Sequence, residues 1–198
     1  MLVILDLDET LIHSSEAPLD RIPDFRLGEY HTYKRPGIDA FLRTLADADD
    51  VELAVWSSST EDYVQEVVRR LFGGLPLAFA WSRRRCTRLQ EASHGAQSWH
   101  SMVWSKKLQK VRRRGFDLDY AVMVDDSPRS IPEYGNVIAV TPWTGEPGDT
   151  ELTLLLPFLL WLRGRNVRRL EKREWRKRSW QSSSAEASQA PHTLQSTS

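Results

Sequence analysis

Cysteine is almost missing from this sequence: Cys86 is the only one in 198 residues. An intrachain disulfide is therefore excluded, which fits a reducing compartment. Long apolar runs are missing too. The longest, Leu152 to Leu162, falls well short of the roughly 20 residues that span a bilayer. A strand-like stretch directly after Met1 leads to the expectation of no secretory leader, and no internal repeat is present. The expected setting is intracellular, cytoplasmic, or nuclear in a eukaryote. The five histidines, His13, His31, His94, His100 and His192, lack zinc-ligand spacing. Net charge is also lacking, with 27 basic against 27 acidic residues, but the balance is uneven. Residues 163–198 hold 9 Lys/Arg against 3 Asp/Glu, so residues 1–162 are acidic by the same margin of six. A basic tail on an acidic body points to an anionic partner for the tail.

What is present reads as alternating strands and helices. Leu2-Val3-Ile4-Leu5 is a short apolar run, the pattern of a strand buried on both faces. A polar loop, 13–18, follows, then a hairpin over Phe25–Arg35 broken by Pro36-Gly37. Ile38, Phe41, Leu42 and Leu45 form a helical stripe, and Val51–Trp56 is a second buried strand. Ser58 and Glu61 fit a capping box for a helix carrying Val64, Val67 and Leu71 and ending at Gly73-Gly74. Leu77–Trp81 reads as a strand, 82–104 as irregular, and 105–114 as a basic helix. Tyr120–Val124 and Asn136–Val140 are further strands. A last helix is capped by Asp149 or Thr150, with a kink or break expected at Pro157. This order predicts an α/β fold: a central, mostly parallel sheet flanked by helices, with a small β-hairpin insertion and no large cap domain. The expected division is an α/β domain over 1–162, a basic Arg/Trp-rich segment over 163–180, and a disordered tail over 181–198 rich in Ser, Gln and Ala.

The chemistry gathers where strands end. Asp6 and Asp8 follow the first strand, and Asp125-Asp126 end another. In open α/β sheets ligands bind beyond the carboxyl ends of the strands. If these strands are neighbours, four carboxylates share one small volume. Like charges about 4 Å apart repel by on the order of 4 kcal/mol at an effective dielectric of 20, a penalty that a divalent cation removes. All-oxygen ligation with waters suits Mg²⁺. A metal held by aspartates, with one aspartate left to react, fits phosphoryl transfer through an aspartyl-phosphate. Asp6 would attack phosphorus, and Asp8 would protonate the leaving oxygen and later deprotonate water. Ser57 at the end of its strand offers a hydroxyl, and Lys106 a fixed positive charge.

Asp6-Leu7-Asp8-Glu9-Thr10-Leu11 resembles the opening signature of the haloacid dehalogenase superfamily. The wider text resembles its branch of small C-terminal-domain phosphatases, which share the nuclear-LIM-interactor-interacting-factor domain. Five further stretches fall in that family's order: Lys34-Arg35-Pro36-Gly37, Trp56-Ser57-Ser58-Ser59, Arg85-Cys86, Lys106-Lys107-Leu108 and Asp125-Asp126-Ser127-Pro128. The resemblance implies a Rossmann-like fold over residues 1–162 and a Mg²⁺-dependent phosphatase. Asp6 matches the nucleophile, Asp8 the general acid/base, and Thr10 the residue that shapes the nucleophile loop. Ser57, or Ser58 beside it, matches the phosphate-binding hydroxyl. Lys106, with Lys107 as its neighbour, matches the lysine that steadies phosphate and nucleophile. Asp126 matches the metal position and Asp125 its partner.

Plainer readings stand beside these. Arg35 reads as a turn or surface charge, Cys86 as a buried apolar side chain, and Arg83–Arg85 as a solvated face or a substrate contact. The Arg/Trp interleaving after 163 suits either an anionic partner or a helix packing its tryptophans on the body. For function, the leading expectation is a protein serine/threonine phosphatase. The alternatives are a nucleic-acid end or small-metabolite phosphatase, and a non-catalytic phospho-binding module.

Overall fold

The first strand, β1 (Leu2–Leu5), sends its side chains alternately to two apolar layers. Val3 and Leu5 face one and Leu2 and Ile4 the other. A computed structural model describes residues 1–89 and 103–177. After β1 come β2 (Ile12–Ser15), β3 (Phe25–Leu27), β4 (Tyr30–Lys34), α1 (Ile38–Ala46), β5 (Glu52–Trp56) and α2 (Glu61–Phe72). They are followed by β6 (Ala80–Trp81), β7 (Thr87–Leu89), β8 (Val103–Ser105), α3 (Gln109–Arg112), β9 (Ala121–Asp125), β10 (Val137–Ala139) and α4 (Glu151–Trp161). The main sheet is five-stranded in the order β10-β9-β1-β5-β6, and every pairing in it is parallel. Strands β2, β4 and β3 form a small antiparallel sheet, and β7 pairs with β8.

This order decides where the chemistry sits. The chain leaves β1 toward β5 and β6, then returns to build β9 and β10 on the other side. The reversal occurs beside β1, the place where open α/β sheets bind ligands. Leu5 is level with Val55 on β5 and with Val124 on β9. The residues just past those positions are Asp6, Trp56-Ser57 and Asp125-Asp126, so three strand ends deliver polar groups to one spot.

One apolar layer collects α1, α2 and α4 through Phe41, Leu45, Val64, Val67, Leu155 and Phe158. The other collects Trp56, Phe79, Trp81, Cys86, Leu108 and Met123. Each such fully buried aliphatic or Phe side chain is worth about 1.5–3 kcal/mol. Helix α1 starts at Gly37, whose φ of 81° suits glycine, and a Cβ there would meet Thr153 Oγ1 at 3.3 Å. That contact is where α1 approaches α4.

Several local expectations change. The stretch taken as a polar loop contains β2, because Ser14 satisfies its hydroxyl on Thr32 Oγ1 (2.9 Å) and Tyr63 Oη (3.1 Å). The Leu77–Trp81 strand shortens to Ala80–Trp81, although the Ala78 N–H still reaches the Leu53 carbonyl at 2.8 Å. The basic helix shortens to Gln109–Arg112, since Ser105 pairs with Thr87 in the β7–β8 hairpin. Helix α4 runs through Pro157 without a break.

The basic segment contains 3₁₀ turns, Val167–Arg169 and Trp175–Lys177, in place of a helix. Trp175 is buried, lies nearly parallel to Phe158 at 6.3 Å, and donates from Nε1 to the Ala139 carbonyl at 3.1 Å. Arg176 bonds to Glu151 and Thr141. Strand β10 is the sheet's edge, so this segment covers backbone that would otherwise be open. Trp180 and the 181–198 tail lie outside the described residues, as does the whole stretch 90–102. No helix among the described residues is long and apolar enough to cross a membrane.

Candidate active site

Asp6 is the first residue beyond β1 and is 7% exposed. Its N–H still bonds to the Val124 carbonyl at 3.0 Å, so the backbone is held to β9 while the side chain turns toward the site. Lys106 Nζ lies 2.7 Å from Asp6 Oδ1 and 2.7 Å from Asp125 Oδ2. The lysine backbone N–H donates to the Ser130 carbonyl at 3.0 Å, which fixes the residue between β8 and α3. Of the two adjacent lysines, it is Lys106 that joins the carboxylates. Burial opposes its charge, but Asp6 and Asp125 outweigh that and hold its pKa above the ordinary lysine value.

Asp125 ends β9 fully buried, and its Oδ1 accepts the Ser127 N–H at 2.7 Å. Asp126 is tied to the first loop through Thr10. The threonine hydroxyl donates to Asp126 Oδ1 at 3.1 Å and accepts the Asp126 N–H at 3.1 Å. Thr10 thus fastens the β1 loop to the β9 loop. Between Asp8 and Thr10, Glu9 adopts φ 54°, a left-handed conformation costly for a side chain of its size. Its N–H bonds to the Ile12 carbonyl and its carbonyl accepts the Trp143 N–H, both at 2.8 Å, so surrounding structure enforces the turn.

Asp8 is held from the β5–α2 side. Ser59 Oγ donates to Oδ2 at 2.8 Å, Ser57 Oγ reaches the same oxygen at 3.4 Å, and Tyr63 Oη donates to Oδ1 at 2.5 Å. The serine run therefore serves the site. The expected Ser58–Glu61 capping box is replaced by Thr60 at the helix start, with no side-chain cap. Ser57 instead accepts the Ser59 N–H at 3.0 Å. Ser58 lines the site's cavity of about 240 Å³ with Asp6, Asp8, Glu9, Lys106 and Asp126.

Sequence reasoning missed Tyr63, Ser59 and the setting of Arg35. Tyr63 stands four residues before Val67, on the buried stripe of α2, and a polar ring on that stripe was the available signal. Arg35 is not a surface charge. It is buried, forms a two-pronged pair with Asp149 at 2.8 Å on each prong, and donates to the Thr10 carbonyl at 3.0 Å. It braces the loop after β1 from behind. Cys86 is buried as expected, and Arg83–Arg85 are exposed.

Four aspartates face one lysine, and the charge does not balance. Burial raises the Asp6 carboxyl, Lys106 lowers it, and Asp125 and Asp8 raise it again, leaving it well above the usual carboxylate range. Asp126 is also raised, by burial and then by Asp125. Carboxylate oxygens of Asp6, Asp125 and Asp126 lie within 4.8 Å of one another. At that distance a like-charge pair repels by about 3.5 kcal/mol at an effective dielectric of 20. The donor set, hard oxygens with excess negative charge, fits a hard divalent cation.

A family model for NLI interacting factor-like phosphatases matches residues 1–169. The chain belongs to that family. Among its relatives, a probable C-terminal domain small phosphatase of Dictyostelium discoideum is 33% identical, over 79% of this chain and 49% of that protein. The human carboxy-terminal domain RNA polymerase II polypeptide A small phosphatase 1 is 30% identical over 79% of this chain and 57% of its own. Nuclear envelope morphology protein 1 of Saccharomyces cerevisiae is 29% identical over 79% and 38%. The chain thus spans about half the length, or less, of these curated relatives. A solved structure of fission yeast Fcp1, an RNA polymerase II CTD phosphatase bound to beryllium fluoride, superposes with a TM-score of 0.51. It covers 75% of this chain and 43% of that one at 20% identity, a likeness of fold. The expected haloacid dehalogenase-type α/β fold is thereby confirmed.

Proposed function

We propose that this NLI interacting factor-like phosphatase hydrolyses phosphoserine or phosphothreonine on proteins through an aspartyl-phosphate on Asp6. One observation carries the reading. The carboxylate at the end of the central strand is buried against Lys106, with a second carboxylate, Asp8, two residues on and held by its own donors. In the first step an Asp6 oxygen bonds to phosphorus, the phosphorus–ester oxygen bond breaks, and Asp8 gives its proton to the departing oxygen. In the second, water attacks phosphorus, Asp8 takes the water proton, and phosphate leaves Asp6. Lys106 holds positive charge beside the transferred group, and Ser57 and Ser58 supply hydroxyls to its oxygens.

Asp6 and Asp126, with the Asp8 backbone carbonyl, would hold Mg²⁺, and Asp125 would orient Lys106. When bound, the ion would supply charge neutralisation for the phosphoryl oxygens. Among the described residues no cap domain covers the site, which favours a protruding phosphorylated side chain over a small metabolite, and the names of the relatives, small phosphatases for a polypeptide's carboxy-terminal domain, support a protein substrate. Cys86 as a buried free thiol suits an intracellular setting. The decisive experiment is hydrolysis of an aryl phosphate with and without Mg²⁺, wild type against Asp6→Asn. A rate that Mg²⁺ raises and Asp6→Asn abolishes is expected. Equal rates in the two proteins would end the mechanism.

A further inference from the structure

The chain's charge asymmetry has a second centre beside the active site. Residues 82–116 contain ten Lys/Arg and a single acidic residue, Glu91, in a chain that is neutral overall. Among them Arg83, Arg84, Arg85, Arg112, Arg113 and Arg114 are all exposed. Two contacts set the stretch that carries the second triplet against the first. Lys110 Nζ donates to the Arg85 carbonyl at 2.7 Å, and Arg114 donates to the Ala78 carbonyl at 3.1 Å while lying 5.7 Å over Phe79. The face meets the catalytic cavity at Arg83. Its Nε donates to the carbonyl of Ser58 at 2.6 Å, and its guanidinium lies 5.5 Å over Trp104; Ser58 and Trp104 both line that cavity.

These charges are poorly compensated. Arg84 pairs with Glu61 at 2.6 Å, but among the described residues no carboxylate lies within ion-pair distance of Arg83, Arg85, Arg112 or Arg113. So many like charges repel one another and bear a cost in the free protein that an anionic ligand relieves. The aromatic rings here are already occupied. Trp81 has Phe79 stacked at 4.1 Å and Arg85 at 5.4 Å, so it offers little face for a nucleic-acid base. What points outward is a set of guanidinium forks, suited to carboxylate and phosphate groups. Beside them Glu61, Trp81, Arg84 and Arg85 line a depression of about 420 Å³.

We propose that this face is a substrate-selecting surface, which recognises acidic or additionally phosphorylated residues flanking the phosphoresidue that enters the site. It rests on the phosphatase reading above and names the class of phosphoprotein: an acidic or multiply phosphorylated segment.

The test compares two fluorescein-labelled phosphoserine peptides of equal length, one flanked by Glu and Asp, the other by Gln and Asn. Their kcat/KM values are compared within each protein, and binding is followed separately by fluorescence anisotropy. Wild type should favour the acidic peptide about three- to tenfold at low salt, as expected for a few exposed ion pairs, and the ratio should shrink as salt is raised. In Arg85→Gln/Arg113→Gln the ratio should fall toward one through KM, and Arg85→Lys/Arg113→Lys should keep most of it. A wild-type ratio of one, or a ratio untouched by the glutamine substitutions, overturns the proposal. So does tighter binding of a single-stranded oligoribonucleotide of the same net charge, which would make the face a nucleic-acid site. Preferential binding of the acidic peptide with no Asp6-dependent hydrolysis of either would keep the surface and sink the phosphatase reading instead.

Discussion

Lys106 Nζ stands 2.7 Å from Asp6 and 2.7 Å from Asp125, so one ammonium serves two buried carboxylates. That sharing sets the electrostatics of the site. Burial raises the Asp6 carboxyl most, Lys106 offsets part of this, and Asp125 and Asp8 raise it further. Lys106→Met should therefore lower kcat on an aryl phosphate by on the order of 10²–10³-fold, the usual effect of removing one electrostatic stabiliser. The acid limb of the pH–rate profile should also move upward, because Asp6 loses the group that lowers its pKa. A Lys106→Met enzyme within threefold of wild type would exclude the lysine from the reaction.

Tyr63 and Ser59 suspend Asp8 from the start of α2. A hydrogen bond to a charged group contributes about 1.5–3 kcal/mol, so Tyr63→Phe should reduce kcat roughly tenfold or more with little change in KM. The signature is a kcat effect, since Tyr63 holds Asp8, the proposed proton carrier, and is not among the groups that line the cavity. If KM rises and kcat holds, Tyr63 serves substrate binding.

Two ion pairs, Arg35–Asp149 and Arg176–Glu151, each with one buried partner, make the fold acid-sensitive. Burial pushes Asp149 up, but Arg35 more than offsets this and holds it below the ordinary carboxylate range. Glu151 is lowered likewise, with Arg176 and the Thr141 N–H outweighing burial. A depressed carboxyl contributes stability that is complete above its unfolded pKa and is lost as pH falls through its folded one. Denaturant midpoints should therefore hold from neutrality down to the ordinary carboxylate range and drop below it. Asp149→Asn should flatten part of that drop while lowering stability at pH 7. An Asp149→Asn midpoint that tracks wild type at every pH would remove Arg35–Asp149 from the account.

The carboxylates were readable in the sequence because each lies directly after a strand whose apolar run is unmistakable, as with Leu2–Leu5 before Asp6. Their meeting also followed from alternation, since strands joined by helices form a parallel sheet whose ends share one edge. Arg35 was not readable in the same way. Its partner Asp149 lies 114 residues away, and nothing local separates a buried arginine from a turn arginine beside Pro36-Gly37. The serine run misled for a related reason. Ser, Thr and Glu near a helix start look alike whether they cap the helix or, as here, hold Asp8. The small strand β2 was hidden because its polar side chains are satisfied by Thr32 and Tyr63, which only the fold brings near.

Trp175 connects the basic segment to the sheet edge. Its ring is buried beside Phe158, and its Nε1 donates to Ala139 on β10. Trp175→Ala removes a large buried side chain and leaves that carbonyl without this donor, so it should cost about 3–5 kcal/mol. For a chain of this size that corresponds to a fall in Tm of roughly 6–20 °C. Trp175→Phe keeps an aromatic ring beside Phe158 but loses the hydrogen bond and part of the indole's contact with Arg176, so its cost should be smaller, on the order of 1–2 kcal/mol. The ordering of the two variants is the informative result. A large loss in Ala with a small loss in Phe places the energy in packing, and equal losses would place it in the Ala139 bond. If neither variant shifts the melt, the segment after Arg163 does not cover β10 in solution. The exposed edge strand would then be expected to promote self-association, measurable by light scattering.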